Sequence, residues 1–488
     1  MSLRDAASRG VRWTTCATIT VSITQIGGLV VLGRLLSPTD FGLIAMIAVI
    51  SGIAEMFSQM GVGDAIIQHP RTLGPVQLST LFWINCALGM AAYVVVFLAL
   101  PVITTVYREP MLDRLIPIAA ISFVISPMGL QISALLRKSL RFELLAFIEV
   151  GKAIVSTGTA IVGASIGWGV WALVAGQLSG TICATAALLF IGATEKWLPS
   201  FNWKLGEVRS ILSFGGYFFA SNLVNYINSR IDQILIGSLL GAQELGYYSM
   251  AFNFVVQPAA KINTVLTQVA FPILARVRDE KTQLKRWYLK MLNILATVNA
   301  PALIGLAAVS PLIVSVFLGE QWSPIVPVLQ ILAVFTVIRS AGNAGGTLVY
   351  ATGNARLALF WNIGLLTAIP FAVFVGARTG GLLGVSVALT VIQTGLFLLW
   401  YPVAVQRLVG RCFWPYINSF FAPTIMAAVM GVAVWQTGSL LKTWPQAIAL
   451  PALISVGVAG YVGAYYLIFR AQFKEYASLL LNRAFRPI

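Results

Sequence analysis

The sequence predicts an all-α integral membrane protein with about 14 transmembrane helices, arranged as two parallel-repeat six-helix lobes plus two C-terminal helices. Three observations predict this fold: the composition, the spacing of apolar runs, and a repeated fifteen-residue segment. Of the 488 residues, 58% are hydrophobic and 10% are charged, whereas soluble domains carry about 25% charged residues. A soluble fold of this length would need a more polar surface, so the composition places the chain in a bilayer.

Apolar runs close to the bilayer-spanning length of about 20 residues recur along the whole chain. Turn signals separate them, among them the segments at 37–40, 241–244, 352–354 and 379–381. The predicted spans are roughly 11–33, 41–62, 79–101, 114–134, 144–166, 169–191, 212–238, 246–272, 289–309, 326–350, 357–376, 380–405, 417–436 and 447–469. The predicted domains are an N-terminal lobe (1–194), a cytoplasmic linker (195–210), a C-terminal lobe (211–406), and the last two spans with a cytoplasmic tail (407–488).

The seventh predicted span, 212–238, is the least hydrophobic because it contains NLVNYINSRIDQ. When it is included and the N-terminus is cytoplasmic, 23 Lys and Arg residues fall in cytoplasmic segments and 5 in periplasmic ones. When it is left out, the later segments change sides and the numbers become 12 and 16. Because basic loops stay in the cytoplasm, the sequence predicts that this polar segment crosses the membrane and that both termini are cytoplasmic.

A short internal repeat supports the same layout. Residues 32–46 read LGRLLSPTDFGLIAM, and residues 236–250 read IGSLLGAQELGYYSM. At the constant offset, five pairs are identical: Gly33/Gly237, Leu35/Leu239, Leu36/Leu240, Gly42/Gly246 and Met46/Met250. Each copy is the turn from one span to the next, six spans apart. An even offset places both copies the same way up, as in transporters built from parallel repeats.

Several classes of function are excluded by the same composition. The net charge of +16 is scattered between apolar segments rather than gathered on one face, so it indicates membrane topology and not nucleic-acid binding. The single histidine, His69, leaves little for zinc or histidine catalysis. The four cysteines lie far apart, which indicates packing residues rather than ligands or disulfides. The loops are too short for a catalytic domain and contain no Walker A sequence, so the chain is expected to be a transporter rather than an enzyme.

Charged residues at bilayer depth cost at least about 2.5–3.5 kcal/mol each and are functional candidates by default. Helical spacing aligns several of them with other polar side chains, on faces that we expect to line a wet cavity between the lobes. We predict substrate binding by basic and amide side chains, namely Arg230, Lys261, Arg339, Asn225, Gln257 and Lys152. We predict coupling or gating by acids, namely Asp232, Glu55 and Glu149. Midplane cations suit an anionic ligand such as a pyrophosphate.

Structural roles are open for some of these residues. Glu149 and Lys152, three residues apart, could form a structural ion pair, or the lysine could extend toward the membrane surface. Asp232 and Glu55 could each hold a salt bridge between helices. Arg230 lies two residues from Asp232, so their side chains are expected to point to different sides of the helix and not to pair.

Five segments resemble the polysaccharide transporter (Wzx-type) flippases of the multidrug/oligosaccharidyl-lipid/polysaccharide exporter superfamily. They are LGRLLSPTDFGLIAM, MGVGDAIIQ, ALLRKSLRFELLAF, GVWALVAGQ and SRIDQILIGSLLGAQELGYYSMAF. The resemblance runs from residue 1 to about residue 415, and the last two spans are merely hydrophobic. It implies two six-helix lobes plus two helices in the bacterial inner membrane. It also implies translocation of an undecaprenyl-pyrophosphate-linked oligosaccharide to the periplasmic leaflet, with Arg230, Lys261 and Arg339 as the positions that could engage the pyrophosphate.

The expected partners are the lipid-linked oligosaccharide, membrane lipid, and possible polymerase and chain-length-regulator proteins, with no nucleic acid. No cofactor or metal is expected, and coupling to a sodium or proton gradient is left open. Two alternatives stand beside the flippase. One is a cation-coupled multidrug antiporter of the same superfamily, for which the acids would be used. The other is a membrane glycan polymerase or ligase, which would need a larger periplasmic loop than this sequence offers.

Overall fold

The computed structural model is helical throughout the residues that it describes, which are 3–59, 63, 66, 74–201, 204, 209–441 and 443–470. The chain divides into two compact units, Met1–Ser249 and Met250–Ile488, here called the N-terminal and C-terminal units. The all-α class is therefore confirmed. The predicted lobe and linker boundaries stay predictions.

The helices of the N-terminal unit are α1 (Leu3–Leu35), α2 (Pro38–Gln59), α3 (Pro75–Tyr107), α4 (Leu112–Ala119), α5 (Ile121–Lys138), α6 (Phe142–Ser165), α7 (Val170–Thr194) and α8 (Arg209–Leu240). Helix α9 (Ala242–Arg276) begins in this unit and continues into the next. The helices of the C-terminal unit are α10 (Lys281–Ile313), α11 (Ile325–Ala351), α12 (Ala355–Trp400), α13 (Phe413–Leu440) and α14 (Gln446–Ile468). Short π-helical turns follow α10 at Val314–Leu318 and α12 at Tyr401–Val405.

Within the described part of the chain, eleven helical stretches are long and apolar enough to cross a membrane. Large apolar side chains are exposed along them, such as Leu98 on α3 and Phe371 on α12, and this outward-facing apolar surface is what lipid contact requires. Helices α8 and α9 are not among the eleven. The chain is thus a helical, multi-pass membrane protein.

Glycines end or break the helices where the sequence predicted turns. Gly241 follows α8 with φ of 89°, and Gly353 follows α11 with φ of 75°. These left-handed conformations favour glycine because it has no Cβ. Inside α12, Gly380 and Gly381 leave the helical region, the latter with φ of 57°. The fourth predicted turn, 37–40, holds the end of α1 and the start of α2. All four predicted breaks are confirmed.

The repeated segments fold as two helix–turn–helix elements that pack against each other inside the N-terminal unit. Helix α2 begins at Pro38 and α9 at Ala242, which are repeat-related positions. A Cβ placed on Gly42 would lie 1.7 Å from the Ala242 carbonyl oxygen. A Cβ placed on Gly246 would lie 1.8 Å from the Pro38 carbonyl oxygen. The contact is therefore reciprocal, and only glycine permits so close an approach of two helix backbones.

In the C-terminal unit, α10, α12 and α13 meet around buried aromatic rings. The ring centroids of Phe397 and Tyr416 are 4.9 Å apart, and the Tyr416 hydroxyl donates to the Phe397 carbonyl oxygen at 3.0 Å. Tyr288 of α10 stacks on Tyr416 with centroids 6.5 Å apart. These contacts fix α10 against its neighbours and leave another of its faces free to line a groove.

Candidate functional site

Arg230 on α8 is half-buried and contacts a glutamine and a tyrosine. Its Nη1 donates to the Gln233 Oε1 at 3.0 Å, and its guanidinium lies 6.0 Å from the centroid of the Tyr226 ring. The Tyr226 hydroxyl is in turn positioned to donate to the Ala48 and Val49 carbonyl oxygens of α2, at 3.1 and 3.3 Å. No ion pair of Arg230 is found among the residues that the structure describes. The guanidinium is thus held in place by a hydrogen bond and a ring contact rather than by an ion pair.

Asp232, two residues further along α8, is buried with 7% of its surface exposed. Its Oδ2 accepts a hydrogen bond from the Tyr248 hydroxyl of α9 at 2.6 Å, and its Oδ1 accepts the Gln233 backbone N–H at 2.9 Å. As predicted, Asp232 does not pair with Arg230 in the part of the chain that is described. Its connection between helices is a hydrogen bond to a tyrosine, whereas a salt bridge was the alternative considered from the sequence.

These contacts form one chain of polar groups, Tyr248–Asp232–Gln233–Arg230. Asp232 binds the backbone of Gln233, and the side chain of Gln233 binds Arg230. Glu55 on α2 is exposed and interacts electrostatically with Tyr226. The N-terminal unit therefore brings Arg230, Asp232 and Glu55 into one neighbourhood at the α2–α8 contact.

The other predicted residues of the N-terminal unit are exposed. Asn225 lies on α8, and Glu149 and Lys152 lie on α6. The proposed pair between Glu149 and Lys152 is absent from the ion pairs and hydrogen bonds of the described residues. The backbone of Lys152 instead packs closely against Gly180 of α7. Substrate binding by Asn225 and Lys152, and coupling or gating by Glu149, stay predictions.

In the C-terminal unit, Arg339 on α11 resembles Arg230 in its surroundings. It is half-buried, its guanidinium lies 5.7 Å from the centroid of the Phe335 ring, and within the described chain it has no ion pair. Lys261 on α9 is exposed and Gln257 one turn before it is half-buried. Nearby, the Asn299 amide of α10 donates to the Asn263 Oδ1 at 2.8 Å, which joins α10 to α9.

Sequence reasoning missed Tyr226, Gln233 and Tyr248. The first two were visible in principle, because they lie four residues before and three residues after Arg230 on one helix face. The contact of Tyr248 with Asp232 could be predicted only from the tight turn at Gly241, because that turn makes α9 run back alongside α8.

A large apolar groove lies in the C-terminal unit, between α9, α10, α13 and α14. Its volume is about 1220 Å³, and its lining includes Val269, Leu306, Met430, Val434 and Ile454. The sequence did not predict it, because α10, α13 and α14 differ little from ordinary membrane spans in their pattern. A groove of this lining accommodates hydrocarbon.

Among the described residues, no group of three or more His, Cys, Asp or Glu side chains is placed so that it could hold a metal ion. The four cysteines are free thiols, of which Cys412 is buried, Cys86 and Cys183 are half-buried and Cys16 is exposed. Arg230 and Arg339, each within its own unit, present a guanidinium beside an aromatic ring.

Several known proteins with similar sequences are named as polysaccharide biosynthesis proteins. Residues 31–327 match the family described as polysaccharide biosynthesis protein. The teichuronic acid biosynthesis protein TuaB of Bacillus subtilis (strain 168) is 32% identical over 485 residues, which are 99% of this chain and 99% of TuaB. The lipopolysaccharide biosynthesis protein WzxC of Escherichia coli (strain K12) is 31% identical over 91% of this chain and 89% of its own length.

The fold has solved counterparts among transporters. The lipid II flippase MurJ, in an inward closed conformation, superposes with a TM-score of 0.74 over 94% of this chain and 99% of MurJ, at 15% identity. An inward-facing multidrug resistance MATE transporter superposes with a TM-score of 0.59 over 80% of this chain and 94% of its own, at 16% identity. At these identities the superpositions concern the fold. With the sequence matches, which cover most or all of the chain, they confirm the resemblance found in the sequence: the chain belongs to the polysaccharide biosynthesis protein family, among the Wzx-type transport proteins.

Proposed function

We propose that the protein is a flippase, and not an enzyme, that moves an undecaprenyl-pyrophosphate-linked oligosaccharide from the cytoplasmic to the periplasmic leaflet of a bacterial inner membrane. The relatives are polysaccharide biosynthesis proteins, and the fold is that of a lipid II flippase. Transport would proceed by alternating access and would serve exopolysaccharide or O-antigen-type assembly. No bond is made or broken, and a polymerase and a chain-length regulator would act on the delivered substrate.

The proposed topology has fourteen spans with both termini in the cytoplasm. The break at Gly380 and Gly381 divides the 54-residue stretch Arg356–Val409 into two arms, each near the length of a bilayer crossing. Helices α8 and α9 add two crossings to the eleven apolar stretches. Their polarity is compatible with crossing because polar residues in spans serve transport pathways.

The observation that carries the proposal concerns two half-buried arginines. Arg230 and Arg339 each lie beside an aromatic ring, and neither forms an ion pair in the described residues. A guanidinium in low-dielectric surroundings is unfavourable unless an anion completes its shell. A pyrophosphate supplies that anion and matches the planar donor geometry of arginine.

The remaining predicted residues keep their proposed roles. Lys261 would join the two arginines in binding the pyrophosphate, while Asn225, Gln257 and Lys152 would contact sugars or the phosphate. Asp232, Glu55 and Glu149 would couple transport to an ion gradient or gate it. For Asp232, the hydrogen bond from Tyr248 supports a positioning role toward Arg230 through Gln233.

The test replaces each arginine and measures delivery of lipid-linked oligosaccharide to the outer leaflet of cells that lack their own copy. We expect Arg230→Gln and Arg339→Gln each to lower delivery at least about tenfold, since one charge-assisted hydrogen bond to phosphate contributes roughly 1.5–3 kcal/mol. Arg230→Lys should retain part of the activity, because it keeps the charge but loses the bidentate geometry.

The matched control is Arg378→Gln. Arg378 also stacks on an aromatic ring, 4.5 Å from the Phe374 centroid, but it is exposed and lies beside the α12 break. Its substitution should leave delivery unchanged. If both glutamine variants are present in the membrane at normal amounts and deliver as well as Arg378→Gln, the pyrophosphate assignment is wrong.

The second candidate function is cation-coupled multidrug antiport, which the MATE-like fold permits. Dye efflux that depends on a sodium or proton gradient would favour it over flipping. A third candidate, a glycan polymerase or ligase, would require the purified protein to lengthen a polymer.

A further inference from the structure

Beyond the end of α7, the chain turns back toward the start of α3. Lys196 adopts a left-handed conformation with φ of 58°, and the Trp197 N–H donates to the Gly192 carbonyl oxygen at 2.8 Å. This bond is typical of a Schellman turn, which ends a helix and redirects the chain. The residues described after the turn, 196–201 and 204, are here called the linker segment. They belong to the predicted cytoplasmic linker and form no part of the candidate site.

Three hydrogen bonds hold the linker segment against the first turns of α3. The Ser200 N–H donates to the Ser79 Oγ at 2.9 Å. The Lys204 N–H donates to the Thr80 Oγ1 at 2.9 Å, and the Trp83 Nε1–H donates to the Ser200 carbonyl oxygen at 3.1 Å. Each bond uses a backbone group of the linker segment, so the three together fix the path of the chain.

The length of α3 gives the depth of these contacts in the membrane. Its 33 residues measure about 50 Å along the axis, whereas the hydrocarbon core is about 30 Å thick. A core centred on a helix near the membrane normal leaves about 10 Å of helix at each end. Trp83, about 12 Å from the start of α3, is then at the edge of the hydrocarbon. Ser79 lies about 6 Å further out, in the headgroup layer, and the linker segment lies there with it.

Apolar side chains of the linker segment face outward at this level. The Phe201 ring stacks on the Trp83 ring with centroids 5.2 Å apart, and yet 89% of the Phe201 surface is exposed. Leu198 is 49% exposed. Phe190 on α7 is exposed as well, so the outward-facing apolar surface of α7 continues into the linker segment. Aromatic side chains at the headgroup level are typical of residues that contact the membrane interface.

Positive charge accompanies the apolar side chains. Lys196 and Lys204 are both exposed. The carboxylate next to Lys196 in the sequence, that of Glu195, forms an ion pair with Arg141 at the start of α6. An ammonium group at the headgroup level attracts anionic lipid. Exposed rings at the edge of the hydrocarbon, with lysines beside them, match the chemistry of a phospholipid surface.

We propose that the linker segment is an interfacial anchor that binds anionic phospholipid. The Trp83–Phe201 pair lies at the boundary between acyl chains and headgroups, Leu198 contacts the acyl chains, and Lys196 contacts headgroup phosphates. The chain between α7 and α8 is thereby held in the plane of the membrane surface. A partner protein fits this surface less well, because the surface is continuous with the lipid-facing side of α7.

The depth of the linker segment can be measured directly. A nitroxide is attached at Leu198→Cys in the full-length protein, with the four native cysteines replaced by alanine, in nanodiscs of phosphatidylcholine and phosphatidylglycerol. We expect oxygen, which concentrates in the bilayer, to relax the nitroxide strongly, and a water-soluble nickel chelate to relax it weakly. The control is a nitroxide at Thr282→Cys, exposed at the start of α10, which the nickel chelate should relax strongly.

Variants then assign the anchoring to named side chains. Phe201→Ser should raise the accessibility of the Leu198 nitroxide to the nickel chelate, because the apolar ring is lost. Phe201→Trp, which keeps an aromatic ring suited to the interface, should leave the accessibility unchanged.

The preference for anionic lipid is tested in detergent by titrating short-chain phosphatidylglycerol or phosphatidylcholine against the mobility of the same nitroxide. Lys196→Gln should lower the preference for phosphatidylglycerol about fivefold. Lys281→Gln, an exposed lysine on α10, should leave the preference unchanged.

Access of the nickel chelate to the Leu198 nitroxide as great as at Thr282 would overturn the proposal, since the linker segment would then lie in water. Shielding from both oxygen and the chelate would overturn it in favour of a covering protein segment. An unchanged preference in Lys196→Gln would overturn the assignment of anionic lipid. None of these readouts depends on delivery of oligosaccharide, so they are independent of the roles proposed for Arg230 and Arg339.

Discussion

The two copies of the repeat share one packing frame and differ in their chemistry. Gly42 of α2 packs against the carbonyl group of Ala242, the first residue of α9. In the same way, Gly246 of α9 packs against the carbonyl group of Pro38, the first residue of α2. The hydrogen-bonded chain Tyr248–Asp232–Gln233–Arg230 involves the second copy and the part of α8 that precedes it. The positions that correspond to Arg230, Asp232 and Tyr248 hold Ile26, Gly28 and Ile44. Close packing is thus preserved in both copies, whereas this hydrogen-bonded chain accompanies the second copy alone.

The largest effect on stability is expected from adding a methyl group at Gly42 or at Gly246. We expect Gly42→Ala and Gly246→Ala each to cost about 3 kcal/mol of stability, because the new Cβ would overlap a carbonyl oxygen of rigid backbone. Thermal unfolding of the detergent-solubilised protein measures the effect, and the two losses should be similar.

Gly27→Ala on α1 is the control, since a Cβ there meets nothing within 4 Å. It should be neutral or slightly stabilising, as alanine favours helix. Unfolding of Gly42→Ala at the same temperature as Gly27→Ala would contradict the reciprocal contact.

A smaller effect is expected from removing the polar chain that only the second copy has. Tyr248→Phe deletes the hydroxyl that donates to the buried Asp232 carboxylate at 2.6 Å. Since hydrogen bonds to charged groups contribute roughly 1.5–3 kcal/mol, we expect a loss of about 2 kcal/mol in unfolding experiments. Oligosaccharide delivery should fall as well, because Asp232 positions Gln233 beside Arg230.

Tyr350→Phe, at an exposed ring on α11, provides the comparison for Tyr248→Phe and should match the wild type. A Tyr248→Phe protein as stable as Tyr350→Phe would show that Asp232 does not depend on this bond.

The smallest effect concerns the two acids at the turns, Asp40 and Glu244. Partial burial raises the pKa of Glu244 above its ordinary value. A raised carboxyl pKa means that the folded state holds the proton more tightly, so stability falls as the pH rises from the ordinary value through the raised one. We expect Glu244→Gln to be more stable than the wild type near neutral pH and equal to it at acid pH.

Asp40→Asn should change stability in the opposite direction. The Asp40 carboxylate accepts hydrogen bonds from the Ser37 hydroxyl at 2.7 Å and the Ser37 N–H at 2.9 Å, so its charge is used at the start of α2. Unfolding temperatures measured across pH separate the two variants. Identical pH profiles for both would show that the two turns do not differ electrostatically.

Local sequence chemistry predicted much of the fold. Breaks at Gly241 and Gly380 follow from residue type, and the resemblance to the family followed from short motifs. The need for α8 to cross the membrane follows from loop charges, and it stays a prediction. The separation of Arg230 from Asp232 followed from helical spacing alone.

The rest depended on contacts between distant segments. The bond between Tyr248 and Asp232 requires the return of α9 along α8, which no periodicity encodes. Helical periodicity likewise does not predict whether Arg230 and Arg339 bind the same ligand. The assay of oligosaccharide delivery tests the contribution of each arginine.

The reciprocal glycine contact has the form of an isologous dimer interface, in which residue i meets j and j meets i. In a homodimer, every substitution is imposed on both partners at once, so a charge suited to one side must be tolerated on the other. A duplicated and fused chain is free of that constraint. Gly42 and Gly246 can keep the two halves of the contact together, while the sequence holds Arg230 at the position that corresponds to Ile26.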